Sequence, residues 1–308
     1  MKLHIVSGIN DIANGMVVVA RLLAKEQGDA EVVDLSHGIH RIHGSDIDEV
    51  WVHGMWLPKE WLACWHALRS GKRLVRMTHG SLSPIYLKCQ SPWKKSTVSP
   101  IERYLLRKSD NVVATCSGEA EWIRAYEPRV RGVEVIDLKR FFNLNPVSSI
   151  NPVQKQLRVL YLGRRHSLKG LGYLQKALKQ LQANGVPFEF RAVSHAFGVE
   201  LEHIWHWCDV LVLPTLSENF GLVVAEALER GKRVITTDGA PAWGDGLSRV
   251  ERVDRVEGDV DSRVDCLDSG LWSGYGGRMI YLKGYRDGTA EDRVRLLVDA
   301  IRQFQIKE

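Results

Sequence analysis

Cys208-Asp-Val-Leu-Val-Leu-Pro-Thr-Leu-Ser-Glu-Asn-Phe-Gly-Leu-Val-Val-Ala-Glu-Ala-Leu-Glu-Arg-Gly-Lys-Arg-Val-Ile-Thr-Thr237 is the stretch on which the reading of the chain turns. Val210 to Leu213 is a short apolar run of the kind that forms a buried parallel strand. Pro214 ends it, and Leu222 to Arg230 reads as a helix that stops at Gly231. Arg233 to Thr237 is a second strand, which makes the stretch a βαβ unit. Its first turn carries Ser217, Glu218, Asn219, Phe220 and Gly221. In such units ligands bind outside the carboxyl ends of the strands, where a helix N-terminus offers N–H groups to anions. Gly221 lets the backbone approach a ligand closely. Glu218 on the turn and Glu226 two helical turns on fall on roughly one face. Carboxylate acceptors beside anion-binding N–H groups suit a molecule with both hydroxyls and phosphate, as a nucleotide sugar has.

Upstream, Leu157 to Leu162 is a strand that ends in Gly163-Arg164-Arg165-His-Ser-Leu-Lys169-Gly170, with a helix from Leu171. Arg164 and Lys169 are thus two cations at the carboxyl end of a sheet, a place to neutralise a diphosphate. The Glu-x7-Glu frame of Glu218 and Glu226, filled by Ser-Glu-Asn-Phe-Gly-Leu-Val-Val-Ala-Glu-Ala-Leu, resembles the retaining glycosyltransferases of family 4. So does the Gly-Arg-x4-Lys-Gly element some fifty residues earlier. The resemblance implies the GT-B architecture: an α/β fold of two Rossmann-like domains facing across a cleft. It implies that Arg164 and Lys169 stabilise the leaving diphosphate and that Glu218 binds the donor sugar's hydroxyls. It places Asn219, Phe220, Gly221 and Leu222 near the same atoms and Glu226 on the ribose. Asp238-Gly-Ala-Pro-Ala-Trp243 resembles the family's strand-exit loop, usually Gly-Thr-Pro-Trp, with Ala242 inserted. The shared motifs span roughly residues 3–245, and Phe188–Val193 with Ser194-His195 carries no transferable residue.

The first half reads as strands at Leu3–Val6, Glu31–Leu35, Glu49–His53, Leu74–Thr78, Asn111–Thr115 and Gly132–Ile136, with helices at Met16–Gln27 and Lys59–Ser70 and one capped by Ser117. The loop from Ser7 to Gly15 lies between first strand and first helix. It is not Gly-x-Gly-x-x-Gly, so a plain βα turn stands beside a ligand-binding one. In the resembled family this loop faces the cleft, which makes Gly15 a donor or acceptor contact. Two strands end in His-Gly, at His53 and His79, which puts each imidazole at the mouth of the sheet. Arg76-Met-Thr-His-Gly-Ser-Leu-Ser-Pro84, followed by Trp93-Lys94-Lys95, looks like lipopolysaccharide-type members of family 4. The likeness implies that His79 is a hydrogen-bond donor to a sugar hydroxyl.

The chain has 308 residues, 44% hydrophobic and 26% charged, and a formal net charge of +5, ordinary for a soluble globular protein that tolerates an anionic partner. Two domains are expected, 1–148 and 149–308, joined by the proline-bearing stretch from Phe142 to Val153. No apolar run reaches the ~18 residues of a membrane span, and the N-terminus starts directly on a strand rather than on a signal peptide. Five scattered cysteines without metal spacing read as reduced thiols of a cytoplasm. Lys88 to Lys108 sets six cations, Lys88, Lys94, Lys95, Arg103, Arg107 and Lys108, against Glu102, with Trp93, Ile101, Tyr104 and Leu105 among them. A solvated helix face, a patch for anionic lipid headgroups and a nucleic-acid surface all fit that composition, the last without a groove-reading motif. Ser248–Asp268 reads as an amphipathic helix or a mobile segment, Ser269–Gly277 as a loop, Met279–Leu282 as a strand and Ala290–Phe304 as a helix.

The expectation is a retaining transfer of a hexose from a nucleotide-diphosphate sugar, most often UDP-linked, to a glycan such as lipopolysaccharide core or polysaccharide. Arg164 and Lys169 take the place of a metal ion, and the reading expects no Asp-x-Asp motif in the chain. Two rivals share the fold: a sugar-nucleotide epimerase and a catalytically silent nucleotide-sugar-binding partner. A Rossmann dehydrogenase is more distant, since Gly-x-Gly-x-x-Gly and its downstream acid are missing.

Overall fold

The computed structural model describes residues 1–11, 14–144, 156–244, 247–249, 270–276 and 278–305, with backbone only at 94, 95, 248, 249 and 270. The chain divides into two compact units, Met1–Phe141 and Phe142–Glu308. The boundary expected at 148 and the segment 250–268 lie outside the described residues.

The first unit holds β1 (Lys2–Val6), α1 (Gly15–Gln27), β2 (Ala30–Asp34), α2 (Leu35–Arg41), β3 (Glu49–His53), α3 (Pro58–Arg69), β4 (Arg73–Met77), α4 (Pro84–Cys89), α5 (Ser99–Lys108), β5 (Asn111–Ala114), α6 (Ser117–Tyr126) and β6 (Val133–Val135). Its sheet runs β2-β1-β3-β4-β5-β6, and every pairing is parallel. The chain leaves β1 for one side and returns to pair β3 on the other, so a topological switch point lies between β1 and β3. Successive residues of a strand face opposite sides of the sheet. Leu3, Ile5, Val50, Val52 and Leu74 share one face and pack with Ala63, Cys64 and Ala67 of α3. Val6 on the other face packs on Val17 and Ala20 of α1.

The second unit holds β7 (Leu157–Leu162), α7 (Leu171–Ala183), β8 (Phe188–Val193), α8 (Gly198–Trp207), β9 (Val210–Val212), α9 (Leu222–Glu229), β10 (Arg233–Thr237), β11 (Ser248–Arg249), β12 (Gly270–Gly274), β13 (Met279–Lys283) and α10 (Ala290–Gln305). Its sheet runs β11-β12-β13-β10-β9-β7-β8. From β13 to β8 all pairings are parallel, and β11 and β12 add antiparallel to that edge. The chain goes from β7 out to β8 and comes back to β9 on the other side, which puts a switch point between β7 and β9. Both units are therefore Rossmann-like α/β layers, as expected.

Four local readings change. The glycine-rich run at 269–277 contains a strand, β12, whose register with β13 supplies the hydrogen bonds that glycine's weak strand propensity does not favour by itself. The short helices α2 and α4 were not anticipated, α2 being opened by Asp34, which accepts from the Ser36 N–H. The N-cap of α6 is Cys116, whose sulfur accepts from the Glu119 N–H, and Ser117 is the first helical residue. Finally, Glu102 does not sit among the cations of a solvated face. It is fully buried, pairs with the equally buried Arg76 at 3.1 Å, and accepts from the Trp56 N–H and the Trp61 indole.

A buried carboxylate with a single ionic partner and two further donors is costly to remove, because the cation is left uncompensated. Glu102→Ala is expected to destabilise the protein by ~3–5 kcal/mol, read as a lower urea unfolding midpoint. A loss below ~1 kcal/mol, the range of an exposed ion pair, would show that Glu102 is solvated after all.

Candidate active site

In the second unit, the loops after β7, β9 and β10 are tied into one body at the carboxyl end of three neighbouring strands. The Leu216 N–H donates to the Leu168 carbonyl at 2.7 Å, and the Thr215 hydroxyl reaches the same carbonyl at 3.1 Å. The Glu218 N–H donates to the Gly239 carbonyl at 2.8 Å. Gly170 is left-handed at φ 70°, and a Cβ there would lie 1.8 Å from the Pro214 carbonyl oxygen. A Cβ on Gly239 would lie 2.2 Å from the Thr215 carbonyl oxygen. Only glycine permits either approach. The turn after β7 is held from within, since the buried Tyr161 hydroxyl donates to the Arg164 carbonyl at 2.9 Å.

This packing brings Lys169 and Glu218 together, Nζ to Oε2 at 2.5 Å. The ammonium also donates to the Ser217 carbonyl at 3.4 Å, which leaves its third N–H for a ligand. The second Glu218 oxygen accepts from the Asn219 N–H at 3.2 Å. Gly221, at φ 73°, is the N-cap of α9, and no side chain caps that helix end. Leu222 opens α9 and is partly exposed. Phe220 is 2% exposed, stacked on Phe142 and tilted against Trp243, and its carbonyl accepts from the Trp243 indole. Its side chain is committed to packing, so only its backbone N–H is open to a ligand. Glu226 is partly buried in α9, and burial raises its carboxyl above the ordinary range. Arg164 and Arg165 are exposed beside the same turn.

In the first unit the loop after β1 turns its N–H groups inward. Gly8 and Ile9 both donate to Asp34 at 3.1 Å, and hydrogen bonds from these groups and Ser36 hold that carboxyl down at about 2. Those two donors are satisfied by the protein. Gly15 is the first residue of α1, behind the N-cap Asn14, whose side chain accepts from the Met16 N–H and donates to the Ser7 carbonyl.

His79 lies two residues past β4, in the left-handed region at φ 50°. A non-glycine residue there is unusual, and here both its neighbours are clamped by one carboxylate. Glu119 accepts from the Thr78 hydroxyl at 2.7 Å and the Gly80 N–H at 2.6 Å on one side, and from the Thr115 N–H and hydroxyl on the other. Glu119 reads in the sequence as an ordinary first-turn helix acid, and its place as the third residue of α6, just after β5, is the one signal of its role. His79 does not stand alone. Its Nε2 is 2.9 Å from His53 Nδ1, and His53 Nε2 is 2.9 Å from His4 Nδ1. His4 Nε2 meets the Gln27 amide oxygen at 2.8 Å. Burial lowers all three imidazoles, His4 to about 4 and His79 to about 3 from the usual 6.5.

The remaining candidates separate. His195, in the turn after β8, is exposed. The expectation of no Asp-x-Asp motif fails: Asp46-Ile47-Asp48 is one, but it precedes β3, and Asp46 pairs with Arg41 and Asp48 with the terminal amine. A second triplet, Asp259-Val260-Asp261, lies outside the described residues. Among the described residues no cluster of three metal-ligating side chains occurs.

Two families match the sequence, one in each unit. The Glycosyl transferase 4-like domain matches residues 12–138, and Glycosyl transferases group 1 matches residues 191–244. A protein of Klebsiella pneumoniae, described as an uncharacterized 41.2 kDa protein in the cps region, is 27% identical, over 58% of this chain and 56% of its own length. The chain thus spans about half the length of that relative. Among solved structures, a sucrose-phosphate synthase from Thermosynechococcus elongatus aligns with a TM-score of 0.57 at 16% identity, over 79% of this chain and 82% of the other. The catalytic domain of Starch Synthase IV from Arabidopsis thaliana, bound to ADP and acarbose, aligns with 0.56 at 11% identity, over 100% and 92%. At these identities the likeness is one of fold.

The three lowered histidines set a pH dependence of stability. Above pH 6.5 they are neutral in both folded and unfolded chains, so their contribution is fully present. Below it the unfolded chain takes up protons that the folded chain refuses down to about pH 4 at His4 and about 3 at His79. Stability is therefore expected to fall as pH drops through this window, by up to ~1.4 kcal/mol per pH unit for each such group. Urea midpoints measured from pH 7 to pH 4 should show a shallower slope for His79→Gln than for the wild type; an unchanged slope would show that His79 titrates normally.

Proposed function

Because the chain belongs to the GT-B glycosyltransferases of family 4 type, we propose that it moves a hexose from a nucleotide-diphosphate sugar to a glycan hydroxyl with retention at the anomeric carbon. The observation that carries this reading is the clasp of Lys169 and Glu218 at the switch point between β7 and β9. It joins a cation for the leaving diphosphate to a carboxylate for the sugar's hydroxyls on one rigid body. Arg164 adds a second, exposed cation beside the same turn. Negative charge that develops on the diphosphate oxygen as the glycosidic bond breaks meets these preorganised donors without any reorganisation. The uncapped N-terminus of α9, at Gly221 and Leu222, faces the same charge with backbone N–H groups. Glu226, its carboxylate desolvated, accepts from the ribose hydroxyls, which restore the hydrogen bonds that burial takes away. Gly15 and His79 belong to the sugar-binding side of the first unit. No metal ion is needed in this scheme, since the two cations do its work.

A UDP-linked donor and a capsular or lipopolysaccharide-type acceptor fit best, the latter because the Klebsiella relative is described from a cps region. Such an acceptor is carried on a lipid, and the surface from Lys88 to Lys108 suits an anionic bilayer face. Trp93 is 60% exposed and Ile101 and Tyr104 are each 40% exposed, among Lys88 and Lys108. Two of the cations there are already spoken for, since Arg103 and Arg107 lie 3.9 and 3.8 Å from the buried Glu127. Among the described residues no helix is long and apolar enough to cross a membrane, and the contact proposed is a peripheral one. The cytoplasmic face is the place proposed for it.

The site is tested by binding and by turnover. A nucleotide that binds only the folded protein at ~100-fold its Kd adds about 2.7 kcal/mol of stability, so thermal shift with UDP, GDP, ADP and CMP should single out one base. Lys169→Ala is expected to lower transfer from that nucleotide's sugar by ~10²-fold or more, and Glu226→Ala to weaken donor binding with the smaller loss in turnover. Transfer should persist in EDTA. Full activity in Lys169→Ala would remove the diphosphate assignment. Nucleotide binding without transfer to any acceptor would favour the silent partner, and an isomerised sugar nucleotide the epimerase.

The lipid contact has its own check. Sedimentation with vesicles should be strong for phosphatidylglycerol, weak for phosphatidylcholine, and lost at high salt. Equal sedimentation with both would contradict an electrostatic patch.

A further inference from the structure

The three hydrogen-bonded imidazoles of the first unit form a wire whose direction is set at one end. They are brought together by register. His4 pairs with Trp51 across β1 and β3, and His53 lies two residues further along β3. His53 pairs with Met77 across β3 and β4, and His79 lies two residues further along the chain. Each step moves one strand over and two residues on, so all three side chains belong to the same face of the sheet, the face that α1 covers. Gln27, the last residue of α1, closes the row. His4 and His53 are fully buried, and the rings of His53 and His79 are stacked with centroids 5.1 Å apart.

A neutral imidazole has one N–H and one lone pair, so a row of neutral rings must be polarised head to tail. Gln27 turns its amide oxygen rather than its NH2 toward His4 Nε2, and in that orientation it accepts. His4 therefore carries its proton on Nε2 and presents a bare Nδ1. His53 must donate to it from Nε2 and in turn presents a bare Nδ1. His79 must donate to that from Nε2. We propose that Gln27, His4 and His53 act as positioning residues that fix His79 as the Nε2–H tautomer, so that its Nδ1 is a hydrogen-bond acceptor for a substrate hydroxyl at the carboxyl end of β4. His79 is the partly exposed member of the row, and its Nδ1 has no partner among the described residues. The polarity is opposite to that of a ring donating to a sugar oxygen. An accepting nitrogen suits the acceptor's reactive hydroxyl, whose oxygen gains nucleophilic character when its proton is held. The same row keeps the ring neutral, so Nδ1 orients that hydroxyl and does not store its proton.

The catalytic side of this inference rests on the reading of His79 as a contact to a sugar hydroxyl, while the tautomers can be read without substrate. Long-range ¹H–¹⁵N spectra of protein labelled at histidine, near neutral pH, should show His4, His53 and His79 all protonated at Nε2. Nδ1–H tautomers at the three sites would overturn the proposal. Gln27→Lys replaces the acceptor by a donor at a helix C-terminus that tolerates a cation. It should reverse the whole row, with His79 becoming the Nδ1–H tautomer, and lower kcat about fivefold, the worth of one neutral hydrogen bond, with the donor's KM unchanged. A reversed row with unchanged kcat would overturn the positioning role. Expected tautomers in a protein that transfers no sugar would sink the transferase reading of His79 and leave the wire itself standing.

Discussion

The candidate donor site depends on one backbone contact, the 2.7 Å bond from the Leu216 N–H to the Leu168 carbonyl. It joins the loops after β7 and β9 across the switch point, and it does so at a separation that only Gly170 allows. Neither loop could hold a charged pair alone, because each would hydrate its own side chain. Once the two backbones are locked, Lys169 and Glu218 have little freedom left to lose, and their salt bridge costs far less ordering entropy than a surface pair. Preorganisation of this kind is what lets a few fixed dipoles act on a developing charge. Trp243 serves the same end from the third loop. Its indole holds the Phe220 carbonyl and so fixes the backbone on which Gly221 and Leu222 present their N–H groups.

The first unit solves a similar problem by burying polar groups. Arg76 with Glu102 on one face of its sheet, and the histidine row on the other, place ionisable side chains in the two layers that usually hold only hydrocarbon. Each arrangement is tolerable because its members satisfy most of one another's hydrogen bonds, the buried Arg76 Nε being left without a partner among the described residues. Glu119 belongs with them. Its four accepted hydrogen bonds tie the ends of β4 and β5 together and hold the left-handed residue between Thr78 and Gly80. The strain at His79 is thus supported by a carboxylate on a neighbouring element, and the ring's place is set before any ligand arrives.

What was legible in the sequence follows from range. Val210 to Val212 announces a buried parallel strand by its composition, and the chemistry of Lys169 and Glu218 stands directly after such strands, where parallel sheets bind ligands. The location of those residues could be read locally. Their partnership could not, because it depends on β7 and β9 being neighbours while β8 lies between them in sequence. The acids Glu102 and Glu119 were illegible for the same reason. A glutamate in the first turn of a helix looks solvated until its partners arrive from another strand. Gly270 to Gly274 failed in the opposite direction, since a strand poor in β-formers exists only through its pairing with β13.

The histidines show how far this limit reaches. Two strands ending in His-Gly were visible at once, and each imidazole alone was a weak signal among eleven histidines. The order β1-β3-β4, with a two-residue offset at each step, turns three separate side chains into one polarised object. Its polarity is decided at Gln27, a residue with no motif, no charge and no place near the carboxyl end of β4. A sugar hydroxyl that meets His79 is therefore addressed by an amide at the far end of the row. Alternation of donors and acceptors in neutral rings carries that instruction with no movement of the backbone, which is why so remote a residue can be part of the site's chemistry.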